Sequence, residues 1–226
     1  MSAAIKQVLV IGASRGIGLE LVRQYRADGA EVSASARDDA GLARLAALGA
    51  KPLRLDISSA AGCAGLAWPI DGEAFDAIWL VAGVYGPRSQ GLEPPTEDQF
   101  DSVMHTNVLG AMRLLPALAE ALAPGARLAV LSSRMGSIGL RSDANGWLYR
   151  ASKAALNSVL KDASLQLAGR AICVALHPGW VQTDMGGAGA DLTIERSAAD
   201  LRATVAALTS ADNGSFFNHD GQPLAW

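Results

Sequence analysis

Cysteine is nearly absent from this sequence: two of 226 residues, Cys63 and Cys173, far apart and each in an apolar setting. So low a count excludes a disulfide scaffold, and the expected state of both is a buried, reduced thiol. No metal site is expected either. Charge is sparse as well, 18% of residues, with 19 Lys+Arg against 22 Asp+Glu and a net −3. Without a basic run there is no broad cationic face for a phosphate backbone, so nucleic acid is not expected as a partner. No apolar stretch reaches the ~20 residues of a membrane span, and Met1 to Lys6 run into an apolar strand with no charged leader. The expected compartment is the cytoplasm, with no membrane partner.

Repeats, low-complexity tracts and linkers are missing too. What is present is 50% apolar residues, ample for one core, since single cores stop growing only at roughly 250–300 residues. One domain over residues 1–226 is expected. Strand-length apolar runs at Gln7–Ile11, Val32–Ala36, Pro52–Leu55, Ala77–Ala82, Leu128–Leu131 and Ala171–Leu176 alternate with segments of helical period. Near-continuous apolar strands such as Val8 to Ile11 suit a mostly parallel sheet buried by helices on both faces, a doubly wound α/β fold. Gly/Pro-rich loops follow two strands, at Val84–Pro95 and Gly179–Asp191. Thr96 and Gln99 form a capping box that opens a helix running to about Leu122, and another helix starts near Leu148.

Residues 8–18 read as a strand entering a glycine turn that opens a helix. Gly12 takes the tight turn, Gly16 lets backbone approach a pyrophosphate, Gly18 permits close contact of helix and strand, and the helix N-terminus offers free amides to phosphate. The pattern predicts a dinucleotide site. Its second strand ends in Ala36 where an NAD site often has an acid, and Arg37 with Arg15 can grip a 2′-phosphate, which favours NADP(H). Asp56, after the third strand, is placed to accept from the adenine amino group or to cap the next helix. Tyr149 and Lys153, four apart on one helix, share a face. A tyrosine titrates near 10, and an adjacent ammonium would favour its phenolate, giving an acid and base within one turn. A hydroxyl at Ser132–Ser133 can bond a substrate carbonyl, and Asn107, a mediocre helix former inside a long helix, suggests a polar task.

In order and spacing, the glycine turn, Asn107, Ser133, Tyr149 and Lys153 resemble the short-chain dehydrogenase/reductase family over nearly the whole chain. The segments at 131–138, 147–153 and 216–221 are similar to its C-signal-like and sniffer-like carbonyl reductase branch. The resemblance implies a single Rossmann domain with a seven-stranded sheet and NADP(H)-dependent hydride transfer to or from a small carbonyl or alcohol. It implies that Tyr149 exchanges the proton, that Lys153 binds the nicotinamide ribose and lowers the tyrosine's pKa, and that Ser133 orients substrate, with Ser137 a rival. It further implies that Asn107 holds a relay water. Cofactor contacts would come from Gly12, Ser14, Arg15, Gly16, Ile17, Gly18, Arg37, Asp56, Ala82, Gly83, Tyr149 and Lys153. After the sixth strand, Pro178 and Gly179 would turn the chain so that the Val181 backbone and Thr183 hydroxyl hold the carboxamide, with His177 structural. Helix stripes similar to the family's dimer faces imply a homodimer. Val81 departs from the family's asparagine, which should alter local stability or cofactor affinity rather than abolish activity. The competing classes are a dinucleotide sensor of the same fold without turnover, and an epimerase or dehydratase, which would want a further acid or base in the substrate loops.

Overall fold

The computed structural model describes residues 5–89 and 91–226. The expected leaderless start at residues 1–4, and Gln90 in the loop after the fourth strand, lie outside them. Seven strands form one sheet: β1 (Gln7–Ile11), β2 (Glu31–Ala36), β3 (Lys51–Arg54), β4 (Phe75–Leu80), β5 (Leu122–Leu131), β6 (Ala171–His177) and β7 (Ser215–Asn218). Their order is β3-β2-β1-β4-β5-β6-β7, every pairing is parallel, and the apolar strands explain why. Along β1, Leu9 and Ile11 enter the core on one face, Val8 and Val10 the core on the other. Ile78 and Leu80 alternate with Ala77 and Trp79 along β4, and Cys173 and Ala175 with Val174 and Leu176 along β6. A strand buried on both faces must be apolar at every position, and helices must cover both sides.

One face is covered by α3 (Ala60–Ala64), α5 (Gly110–Glu120) and α6 (Trp147–Gln166), through Cys63, Leu114, Leu118, Leu156 and Leu160. The other is covered by α1 (Gly16–Ala27), α2 (Asp39–Ala47) and α7 (Ile194–Ala207), through Leu21, Val22, Leu45, Ala198 and Leu201. Both cysteines are free and buried; burial pushes the Cys173 thiol up to about 12, which keeps it unreactive.

Three expected boundaries move. The helix opened by Thr96 has the expected capping box, with Thr96 Oγ1 accepting from the Gln99 amide at 3.2 Å and Gln99 Oε1 from the Thr96 amide at 3.0 Å. It does not run unbroken to Leu122: α4 (Glu97–Met104) passes into a π turn over His105–Leu109 before α5 begins. Tertiary bonds to Asn107 act on this turn, and a sequence of uniform helical period gives no sign of them. β5 starts six residues before the expected Leu128; Leu122 pairs with Phe75 ahead of a register shift, and Gly125 and Arg127 hide that half from a search for apolar runs. β4 stops at Leu80 rather than Ala82, because the amides of Val81 and Ala82 both turn onto the Ile11 carbonyl, at 2.9 and 3.0 Å.

β1 has β2 on one side and β4 on the other, so the chain reverses its winding there and the carboxyl ends of β1 and β4 flank a crevice. Among the described residues no helix is long and apolar enough to cross a membrane, and no group of His, Cys, Asp and Glu could hold a metal ion.

Candidate active site

The glycine turn sits at the end of β1 as its pattern requires. Gly12 has φ +89°, and a Cβ there would lie 2.6 Å from the Ala82 amide nitrogen, so the ends of β1 and β4 approach only through glycine. A Cβ on Gly18 would come within 2.2 Å of the Gly12 carbonyl, which is the close helix and strand contact expected of it. Gly16, at φ +55°, opens α1, whose first turn carries no acidic residue. Its free amides face the crevice with nothing to repel an anion. Ser35 fixes the turn: its hydroxyl accepts from the Gly12 amide at 2.9 Å, and its carbonyl from the Ala13 amide at 2.8 Å. These residues fit a pyrophosphate.

The adenosine end is assembled differently from expectation. Ser14 and Ala36 do converge, both pressing on the position a Cβ of Gly41 would take. Arg44 on α2 joins them, its Nε donating to the Ser14 carbonyl at 3.0 Å. Sequence reading missed Arg44 because nothing local marks it. Arg15 reaches across the crevice to Asp184 at 2.7 Å, both side chains about three-quarters exposed. Asp56 accepts from the Ser58 hydroxyl at 2.7 Å and amide at 3.0 Å, and these bonds, with the Arg37 charge beyond them, hold its carboxyl low. Ser59, not Asp56, caps α3.

The reacting groups meet at the ends of β4, β5 and the start of α6. Tyr149 is 7% exposed and Lys153 4%. The Ser133 hydroxyl stands close enough to the Tyr149 phenol to favour its ionisation and accepts from the Met135 amide at 3.1 Å. The other two serines are engaged elsewhere: Ser132 donates to Asn157 at 2.5 Å, and Ser137 to the Ala225 and Trp226 carbonyls at 2.7 and 3.2 Å. The Ser137 hydroxyl is thus turned towards the chain end at Ala225 and Trp226. Lys153 Nζ lies 5.8 Å from the Tyr149 ring centroid and donates to the Leu131 carbonyl at 2.8 Å. Asn107 Nδ2 donates to the Val84 carbonyl at 2.8 Å and to Ser152 Oγ at 2.9 Å, and its Oδ1 accepts from the Val84 amide at 2.8 Å. A Cβ on Gly83 would touch both Asn107 Oδ1 and Lys153 Nζ, at 3.2 and 3.3 Å, so only glycine lets them flank one point.

Burial pushes the Tyr149 phenol up to about 12, and the Ser133 hydroxyl draws it partly back. Burial likewise pulls the ammonium down to about 8, so the lysine is still mostly protonated at neutral pH but loses its charge soon above it. Desolvation outweighs attraction when both groups are covered.

Beyond β6, Gly179 turns at φ +85° and the Pro178 carbonyl is held by Ser197 Oγ at 2.7 Å. Val181 bridges Leu192 in parallel, and the bonds belong to its neighbours: the Gln182 amide donates to Leu192 at 2.9 Å and the Leu192 amide to Trp180 at 3.0 Å. The Val181 amide therefore faces away from Leu192. Thr183 Oγ1 accepts from the Gly186 amide at 3.2 Å, and its methyl lies 3.6 Å from where a Gly16 Cβ would be, facing the cofactor turn. His177, pulled down to about 4 by burial, is neutral at physiological pH.

The family model described as short chain dehydrogenase matches residues 6–191. The chain belongs to the short-chain dehydrogenases. Within that family it is 39% identical to the C-signal protein of Myxococcus xanthus over 123 residues, 53% of this chain and 74% of that one. It superposes on the carbonyl reductase Sniffer of D. melanogaster with a TM-score of 0.89 at 30% identity, covering 99% and 100% of the two chains. A carbonyl reductase from Pseudomonas aeruginosa in complex with NADP gives 0.87 at 34% identity, with 99% and 100% covered. This short-chain dehydrogenase thus falls among the carbonyl reductase-like members.

Its buried lysine makes stability depend on pH. The folded chain releases the Lys153 proton near 8 and the unfolded chain keeps it to about 10.5. Between those values the unfolded state holds the extra proton, so stability rises with pH, by ~1–3 kcal/mol from pH 8 to 10. Cys173 and Tyr149, raised above their ordinary 9 and 10, oppose this from about pH 9 upward, so the lysine's share is read from pH 8 to 9. Urea midpoints of the cofactor-free protein should climb across that window, and Lys153→Met should flatten the climb; equal slopes in both proteins would contradict it.

Proposed function

We propose that this protein reduces a small carbonyl compound to the alcohol with NADPH, Tyr149 giving the proton. The observation that carries the reading is the meeting of Ser133, Tyr149 and Lys153 at the sheet's carboxyl edge, beside a glycine-lined phosphate cradle. A bound nicotinamide supplies the hydride that the carbonyl carbon accepts. The Ser133 hydroxyl holds the carbonyl oxygen, and the Tyr149 O–H passes its proton to that oxygen as alkoxide charge develops. A phenol kept protonated at neutral pH suits donation to the developing alkoxide. Lys153, drawn off the Leu131 carbonyl, binds the nicotinamide ribose hydroxyls and returns a proton towards the phenol. Asn107 Oδ1, with one lone pair beyond its Val84 bond, faces the same point as Lys153 Nζ and serves the relay water.

Gly12, Ser14, Gly16, Ile17 and Gly18 hold the pyrophosphate, and Ala82 and Gly83 line the adenosine half with Asp56. Pro178 and Gly179 set the course of the chain so that the Val181 amide and Thr183 hydroxyl take the carboxamide. Arg37, Arg44 and Arg15, once it leaves Asp184, surround the 2′-phosphate. A sensor without turnover would have no use for Ser133, Tyr149 and Lys153 brought together in one buried cluster. The same reading places the protein in the cytoplasm as a homodimer through its outer helices, where Phe100, Met112 and Leu165 stand 47%, 52% and 65% exposed.

Replacing Tyr149 by Phe keeps the packed ring and removes the proton donor, so turnover in an NADPH oxidation screen across aldehydes, ketones, quinones and diketones should fall at least about a hundredfold. NADPH binding, followed by fluorescence, should hardly change, whereas Lys153→Ala should lose both. Near-normal reduction by Tyr149→Phe would end the proposed mechanism. For the cofactor, kcat/KM should favour NADPH over NADH by at least about a hundredfold, roughly 3 kcal/mol from charged phosphate contacts. Ala36→Asp should move the preference towards NADH, and equal use of both cofactors by the unmodified protein would refute the assignment. Sedimentation at micromolar concentration should show the dimer; a monomer there would remove that part.

A further inference from the structure

Tyr85 lies two residues beyond Gly83 in the loop leaving β4, and its ring stacks on Tyr149, centroids 4.6 Å apart and planes 23° from parallel. A loop aromatic is ordinarily held by little, but this one is constrained on three sides. The residue before it, Val84, is gripped at both its amide and its carbonyl by Asn107. Its hydroxyl presses on Gly146, the N-cap of α6: a Cβ there would sit 2.5 Å from the phenol oxygen, and Gly146 has φ +67°, so a side chain at that position would be strained and would push Tyr85 aside. Over the Tyr85 ring lies the Arg88 guanidinium, 5.3 Å from the centroid, which also donates to the Met185 carbonyl at 3.1 Å and so ties the loop to the segment after β6.

Tyr149 itself is short of restraints. Ser133 acts on its hydroxyl and Lys153 stands 5.8 Å from its ring, but a phenol turning about its side-chain bonds needs a surface to lie against, and Tyr85 supplies it. Stacked there, Tyr85 also keeps water from the ring, and exclusion of water sets how readily a phenol ionises. We propose that Tyr85 is a positioning residue for the reaction: its stacked ring fixes the Tyr149 phenol at the angle for proton donation and keeps it dry. This rests on Tyr149 being the proton donor. The titratable groups facing that phenol are Lys153 from α6 and Tyr85 from the β4 loop, with Arg88 behind Tyr85. From the sheet, Ser133 brings an uncharged hydroxyl, and Arg134 and the neutral His177 act on each other.

The test compares Tyr85→Phe, Tyr85→Leu and Arg88→Gln in steady-state reduction of one aldehyde or quinone found by the screen, with kcat and kcat/KM followed from pH 6 to 11. Phenylalanine keeps the stack and should stay within about threefold of the unmodified enzyme at every pH. Leucine should cut kcat about tenfold at neutral pH without changing the NADPH dissociation constant. It should also move the alkaline limb, where the phenol loses its proton and reduction stops, down by about one unit from about 12, so that activity at pH 11 falls by about half where the unmodified enzyme keeps about nine-tenths. Arg88→Gln, an exposed change that leaves folding intact, should shift the limb the same way by less. A residue that merely supports the fold would lower active protein and leave the limb in place. If the Leu and Gln limbs superpose on the unmodified profile, or if Phe fails as badly as Leu, Tyr85 does not position the donor. Should Leu not fold, Phe and Gln decide the matter alone. Tyr149→Phe, run beside them, separates the cases: activity surviving there overturns the donor assignment, whereas its loss with indifferent Tyr85 variants overturns only the present inference.

Discussion

The Asn107 carboxamide is engaged on both sides, to the Val84 backbone in two directions and to the Ser152 hydroxyl on α6. Those bonds join three pieces of chain that the sheet alone does not hold together: the loop leaving β4, the π turn between α4 and α5, and the helix that carries Tyr149 and Lys153. Because the residue is 2% exposed, the bonds are not exchangeable for water. An amide buried without partners would cost ~1–3 kcal/mol, so the arrangement is closely all or none. Gly83 belongs to the same constraint, since a side chain there would separate Asn107 from Lys153.

Around that tie the site is dry by design of its neighbours, and dryness has opposite effects on its two ionisable groups. Burial disfavours charge, so the phenol holds its proton more tightly and the ammonium less tightly. Each moves towards neutrality: the phenol stays uncharged, and the ammonium keeps its proton only up to about pH 8. The carbonyl of Leu131 gives the lysine one strong acceptor while it is covered. In this state the site is poised for donation of a proton, not for its removal.

Much of this was legible in the sequence because it depends on local chemistry. The glycine turn, the Thr96–Gln99 box, the strands of the apolar sheet and the shared face of Tyr149 and Lys153 all follow from spacing within one or two turns of chain. What escaped depends on partners far away in sequence. The π turn answers to Val84 and Ser152, 23 and 45 residues from Asn107. The direction of Arg15 is decided by Asp184, 169 residues on. Ser132, Ser133 and Ser137 look alike in sequence, and only the fold shows that Asn157 and the chain end at Ala225 and Trp226 engage two of the hydroxyls. The raised tyrosine was missed for another reason: spacing reveals a neighbouring charge but not the depth at which both groups sit.

The alternation of the strands leaves the sheet as a wall between two cores that share no side chains. A helix residue such as Leu201 is felt on one side only, Leu160 on the other. Substitutions in the two layers should therefore combine almost additively, and each layer is free to diverge at its own pace. Strand residues have no such liberty, because a backbone shift made to suit one layer is transmitted at once to the other. Variation in this architecture should accumulate in the helices and loops while the central strands stay narrow in composition, so new substrate ranges can arise by reshaping one layer and its loops while the cofactor side is left standing.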